Sequence, residues 1–184
     1  MSSSSIEQLT NPDFVKDLPD LPLAEIRSRR TRCQDAEELL SLQRRLVQGR
    51  LDIVQAELYR RAGGGSESDV ATLVESLPDI LVERGDRHLG PGRLTSLEGE
   101  AQELGADFEA FSAALDHVVD GIRLSNLGKE DEADLRSIAD QLDAMEREVS
   151  ASRHQLHGHI DRLQEEVVRR YKSGDASVDS LLGG

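Results

Sequence analysis

Residues 37–61, EELLSLQRRLVQGRLDIVQAELYRR, are written a second time as residues 146–170, EREVSASRHQLHGHIDRLQEEVVRR. The two copies lie 109 positions apart and need no gap to align. Leu40, Val47, Leu51, Val54 and Leu58 fall on Val149, Leu156, Ile160, Leu163 and Val167. Steps of 7, 4, 3 and 4 residues are those of a heptad seam, so both stretches read as long helices that bury one apolar edge. Gly49 falls on Gly158, Gln55 on Gln164, Glu57 on Glu166, and Arg60-Arg61 on Arg169-Arg170. The fold class is therefore all-α, organised by a duplicated helix.

Beside the seam each copy carries a polar stripe. The first is Glu37, Ser41, Arg44, Gln48 and Asp52; the second is Glu146, Ser150, Arg153, His157 and Asp161. At 100° per residue these five positions stay within an arc of roughly 80°, along a row roughly 22 Å long. The seam is centred roughly 80° away on the same wheel. If the two seams pack together, the stripes flank one groove with pseudo-two-fold symmetry. Periodicity leaves open whether the helices run parallel or antiparallel, because the connection is long enough for either.

Working outward, residues 1–20 read as a disordered arm rich in Ser, Pro and Asp. Residues 21–62 form the first motif helix, with Pro22 at its first turn and Gly63, Gly64 and Gly65 ending it. Residues 63–129 are acidic connecting helices and loops: a short helix from Ser68 or Asp69 to about Glu83, interrupted at Pro78, and helical signals at 95–104 and 107–124. Residues 130–172 form the second motif helix, and 173–184 a flexible tail. The first helix has another apolar face, Leu39, Leu42, Leu46 and Ile53, where the second has Glu148, Ala151, Gln155 and Arg162. Helix one therefore packs against something extra, either the intervening helices or a partner.

Composition narrows the function classes. Aromatics are 3%, Trp is absent and charged residues are 32%, which suits long helices better than a compact globule. The net charge of −14 argues against direct DNA binding. Between Glu67 and Asp143 there are 19 Asp/Glu and 6 Lys/Arg, so most of the excess lies between the stripes, where it suits a basic partner. Cys33 is alone, which excludes an internal disulfide. No apolar run is long enough for a membrane, and Ser2 to Ser5 do not begin a signal peptide. The expectation is a soluble cytoplasmic protein.

The stripe residues do not suit a metal site, because no two His share that face at ligand spacing. Ser150, His157 and Asp161 are spread along a helix and the first copy has Gln48 in place of the base, so nucleophilic catalysis and an enzyme are not expected. A guanine ligand suits the chemistry. Arg forks onto O6 and N7, a carboxylate accepts from the Watson–Crick edge, and Ser with Gln or His completes phosphate or ribose contacts. Gly49 and Gly158 each cost about 1 kcal/mol in a helix and suit close approach by a ligand or another backbone. The competing reading is a polar seam of Glu–Arg pairs that sets coiled-coil register.

The pattern E-x3-S-x2-R-x3-[QH]-x3-D, complete in both copies, resembles that of the RsiG family, cyclic di-GMP-responsive anti-sigma factors of sporulating actinobacteria. The resemblance implies an antiparallel coiled-coil hairpin of the two motif helices, with shorter helices in the connection. It further implies a dimer of cyclic di-GMP held against that hairpin, and sequestration of a WhiG-type sigma factor from RNA polymerase. Arg44, Arg153, Asp52 and Asp161 would then read guanines. Glu37, Ser41, Gln48, Glu146, Ser150 and His157 would add polar contacts, the last with a pH-sensitive donor. Two alternatives stay open: a ligand-independent coiled-coil scaffold, and a coiled-coil regulator that binds RNA polymerase itself.

Overall fold

The computed structural model describes residues 5–63, 98–120 and 124–173, and among them all regular structure is helical. We label the α-helices α1 (Ser5–Thr10), α2 (Leu23–Arg61), α3 (Glu98–Asp120) and α4 (Glu132–Ser173). Three 3-10 turns, Pro12–Val15, Leu18–Asp20 and Leu124–Lys129, connect them. The two motif helices have 39 and 42 residues, each about 60 Å long at 1.5 Å per residue. Gly63 closes α2 in the left-handed region at φ 86°, with its N–H donating to the Arg60 carbonyl at 3.0 Å. The short helix expected near Ser68, the glycines that follow Gly63 and the expected tail after Ser173 lie outside the described residues.

The chain divides into two compact units, one drawn from Met1–Leu40 and Ala151–Gly184, the other from Ser41–Ser150. In the first unit, Ile26, Cys33, Ala36 and Leu40 of α2 are buried, as are Leu156, Leu163 and Val167 of α4. Burial pushes the Cys33 thiol up to about 12, so it behaves as a small apolar side chain. Residues 5–20, expected to be a disordered arm, are instead built into this unit as α1 and two 3-10 turns. Leu9, Val15 and Leu18 are buried. Polar anchors fix the backbone between them. His159 Nδ1 lies 2.9 Å from the Leu9 carbonyl, Arg29 donates to the Phe14 carbonyl at 2.7 Å, and Arg170 donates to the Leu18 carbonyl at 2.7 Å. Arg29 and Arg32 also lie over the Phe14 ring. These side chains tie the arm's backbone carbonyls to the two long helices.

In the second unit, Val47, Leu51, Ile53 and Val54 of α2 form one cluster with Leu135, Ile138 and Leu142 of α4, Leu127 of the turn and Leu115 of α3. Here α3 supplies the extra packing expected for helix one: Leu46 and Ile53 share that cluster with Phe111, Leu115, Val118 and Val119. Arg50 of α2 donates to Asp116 of α3 at 3.2 Å. Over the described residues the two helical signals are joined in one helix, Glu98–Asp120, because Gly105 lowers helix propensity by about 1 kcal/mol without removing a hydrogen bond. α4 starts at Glu132 rather than 130; the Glu130 N–H closes the preceding turn on the Leu127 carbonyl.

The heptad seam is buried as read. Leu40, Val47, Leu51, Val54, Val149, Leu156, Leu163 and Val167 are all buried, with Leu58 and Ile160 half-buried. Gly158 is different. A Cβ there would meet nothing within 4 Å, so no backbone of the described residues approaches it. Gly158→Ala is expected to raise stability by about 1 kcal/mol, read as a higher urea midpoint at unchanged m-value. A drop in stability would mean that a close contact forms there.

Candidate functional site

Each unit brings the leading Glu of one motif copy to the Arg and the Gln or His of the other, and the two assemblies correspond. In the first unit, Glu37 of α2 accepts from Arg153 of α4, at 2.9 Å from Nη2 and 3.1 Å from Nε. His157 Nε2 lies 3.3 Å from the same Glu37 oxygen. In the second unit, Glu146 of α4 accepts from Arg44 Nε of α2 at 2.8 Å and from Gln48 Nε2 at 3.4 Å. Ser150 Oγ donates to Glu146 at 2.9 Å, one turn along its own helix. The carboxylate of one copy thus gathers the Arg and the Gln or His of the other. Gln48 and His157, the one mismatch between the motifs, occupy equivalent places and reach equivalent carboxylates, Glu146 and Glu37.

The Glu37 and Glu146 side chains are 19% and 18% exposed, set below the surface of the stripe. The Arg44 guanidinium, with help from Ser150, holds the Glu146 carboxyl below the usual carboxylate range. Asp52 and Asp161 are exposed and take no partner among the described residues. Ser41 is half-buried. Arg44 donates to its carboxylate through Nε, and its two terminal amino groups carry the donors of a forked contact. Arg153 commits Nε and Nη2, leaving Nη1. A half-buried carboxylate that fixes a guanidinium, with an open carboxylate two turns on, can present a fork and an acceptor to a planar ligand edge. A groove of about 430 Å³ along Val15, Leu18, Pro19, Arg162 and Arg169 lies apart from the stripe and contains none of its ten residues.

A second device flanks the motif. Glu57, 2% exposed, accepts from Arg60 at 2.7 and 2.8 Å and from Arg61 at 2.8 Å. Glu166, 8% exposed, accepts from Arg169 at 2.6 and 2.7 Å and from Arg170 at 2.8 Å. The hydrogen bonds from Arg60 and Arg61 lower the Glu57 carboxyl to about 2, and those from Arg169 and Arg170 do the same for Glu166. The far ends of these guanidiniums are clamps. Arg61 donates at 2.7 Å to each of the Leu127 and Glu130 carbonyls in the turn before α4. Arg170 donates to the Leu18 and Pro19 carbonyls, at 2.7 and 3.1 Å, in the turn before α2.

Leu18 and Leu127 are themselves 109 positions apart, as are the first residues of the two helices, Leu23 and Glu132. So are the buried pairs Ile26 with Leu135 and Cys33 with Leu142. The repeat therefore extends upstream to residues 18–61 and 127–170. The signal for it was the pair AEIRS at 24–28 and ADLRS at 133–137.

The three histidines crowded on α4 serve different surroundings: His154 and His157 are exposed, whereas His159 is buried against the arm. No group of three His, Cys, Asp or Glu able to hold a metal occurs among the described residues. Nor is any described helix long and apolar enough to cross a membrane. A family model described as RsiG-like matches residues 12–81 and 122–183. Both motif copies and both Glu-Arg-Arg clamps fall inside the matched segments, and α3 falls between them. No curated protein matches the chain.

Proposed function

The chain belongs to the RsiG-like family of anti-sigma factors, and from that premise we propose that it is gated by cyclic di-GMP and sequesters a WhiG-type sporulation sigma factor from RNA polymerase. The ligand is a dimer of cyclic di-GMP, held against the ten motif residues. Arg44 and Arg153 fork onto guanines, Asp52 and Asp161 accept from their Watson–Crick edges, and Ser41, Ser150, Gln48 and His157 contact phosphate or ribose. Glu37 and Glu146 set the arginine planes. The observation that carries this reading is the pair of equivalent Glu–Arg assemblies, each with an exposed Asp of the same motif two turns from its arginine.

The motif helices form an antiparallel coiled-coil hairpin in this reading. Within the first unit the partners 27–171, 30–164 and 37–153 rise on one helix and fall on the other. Within the second, 44–146 and 61–130 do the same. The mechanism is linkage: nucleotide that favours the sigma-bound form tightens sigma binding, and sigma tightens nucleotide binding by the same factor.

A second reading has one observation in its favour. Both motif arginines are already ion-paired without ligand, as a register-setting polar seam requires. Titration calorimetry with cyclic di-GMP, with and without a WhiG-type sigma factor, separates the two. Nucleotide heat and nucleotide-dependent sigma binding are expected. Equal sigma binding with and without nucleotide, and no nucleotide heat, would leave the scaffold reading.

A further inference from the structure

The one mismatch between the motif copies is a difference in hydrogen count. In the second unit Gln48 Nε2 donates to the Glu146 carboxylate at 3.4 Å. That nitrogen carries two hydrogens, so it can serve Glu146 with one and a ligand oxygen with the other. In the first unit His157 Nε2 lies 3.3 Å from Glu37 Oε1. An ionised carboxylate only accepts, so a neutral imidazole there carries its single hydrogen on Nε2 and spends it on Glu37. Its Nδ1 then offers a lone pair and nothing to donate. A proton supplies the missing hydrogen: the imidazolium donates to Glu37 from Nε2 and to an acceptor from Nδ1.

Charge points the same way. Each half-site sets one arginine against two carboxylates: Arg153 with Glu37 and Asp161, and Arg44 with Glu146 and Asp52. Both are left with an excess of negative charge, towards a ligand whose phosphates are anionic. A proton on His157 cancels that excess in the first unit, and Gln48 has no means to do so in the second. The surroundings of His157 are these. On α2, Glu37 faces it, and Arg30, two turns before, is engaged with Gln164. On α4, Arg153 and Asp161 stand one turn to either side on its face, and His154 is exposed. The arm meets α4 at His159 and Arg162 instead, and its Asp13 and Lys16 pair with each other.

We propose that nucleotide binding takes up a proton at His157, so that mild acidity tightens the half-site of the first unit while that of the second, with Gln48, is indifferent to pH. The proposal rests on the function proposed above. By linkage, the proton and the nucleotide favour one another by the same factor. The His157 side chain is 55% exposed, so its charge acts on the ligand through water-screened contact, worth about fivefold in affinity.

The test is calorimetric titration of cyclic di-GMP into the full chain with a WhiG-type sigma factor present. It is run at about pH 8 and about pH 6, either side of the range in which histidine titrates, in two buffers of unlike ionisation enthalpy. The samples are wild type, His157→Gln and Gln48→His. Wild type is expected to bind about fivefold more tightly at the lower pH, with net proton uptake. His157→Gln is expected to bind equally at the two pH values to within about twofold and to lose the uptake, and Gln48→His to steepen the dependence. Wild-type binding that ignores pH, or that is tighter at the higher pH, overturns the proposal and leaves the function standing. A dependence that survives His157→Gln belongs to another group, His154 first, and overturns it too. No nucleotide heat from wild type at either pH overturns the function, and the proposal with it.

Discussion

Arg44→Ala combined with Arg153→Ala is expected to abolish cyclic di-GMP binding while the far-ultraviolet circular dichroism stays that of the wild type. A guanidinium forked onto guanine O6 and N7 is worth about 1–3 kcal/mol, so losing two weakens binding by about 30-fold to 10⁴-fold. The structural cost is smaller. The Arg44–Glu146 pair is 38% and 18% exposed, and Arg153–Glu37 is 23% and 19% exposed. Neither carboxylate is left alone, since Glu146 keeps Ser150 and Gln48 and Glu37 keeps His157, so each truncation is expected to cost about 1 kcal/mol. The apolar seam beneath them is untouched, so a fall of a few degrees in melting temperature is expected. Arg44→Lys alone should already impair binding, because an ammonium keeps the charge and loses the planar fork. Calorimetry and a thermal melt on the same samples decide the matter. A double variant that unfolds makes the stripe a structural seam. One that folds and binds as wild type places the nucleotide elsewhere.

How far the sequence foretold this arrangement varies along the chain. The seam was legible because Leu40 to Leu58 and Val149 to Val167 follow one strict spacing, and heptad spacing has a single structural consequence. The upstream half of the repeat was hidden because its buried positions changed identity: Cys33 answers Leu142, and Ala36 answers Met145. Other positions diverged further, Arg29 against Ile138 and Arg30 against Ala139, leaving only AEIRS and ADLRS as a trace. The arm escaped notice for another reason. Leu9, Val15 and Leu18 follow no period, and what orders them is a set of polar side chains on other elements, Arg29, His159 and Arg170. Periodicity reports what one element buries and is silent about side chains that pair with another element's carbonyls. The same limit applied to the motif. Its ten residues were legible as one face, but that Glu37 and Glu146 would each take the other copy's Arg depends on which helix positions face one another.

The clamps carry the largest expected effect on stability. Glu57→Gln is expected to cost about 3 kcal/mol, and Glu166→Gln a similar amount, because each leaves two guanidiniums beside a buried neutral amide. The loss spreads beyond the carboxylate. Arg61, no longer steered by Glu57, would loosen from the Leu127 and Glu130 carbonyls, and Arg170 from those of Leu18 and Pro19. Each turn holds the start of a motif helix, so its release would free the axial position of that helix and, with it, the pairing of Glu37 or Glu146 with arginine. The two clamps sit in separate units, so their costs should add to within about 0.5 kcal/mol. The effect has a pH signature of fixed sign. Both carboxyls lie near 2 in the folded chain against an ordinary 4.5. The folded value is the lower one, so the stability they contribute is complete above about 4.5 and drains away as the pH falls towards 2. Urea unfolding of wild type and the double Gln variant at pH 7, 4.5 and 3 should show a wide gap at the first two and a narrowing one at the third. A gap that stays constant to pH 3 would mean that the carboxylates act through shape alone, and that the ionic clamp does not set where the helices begin.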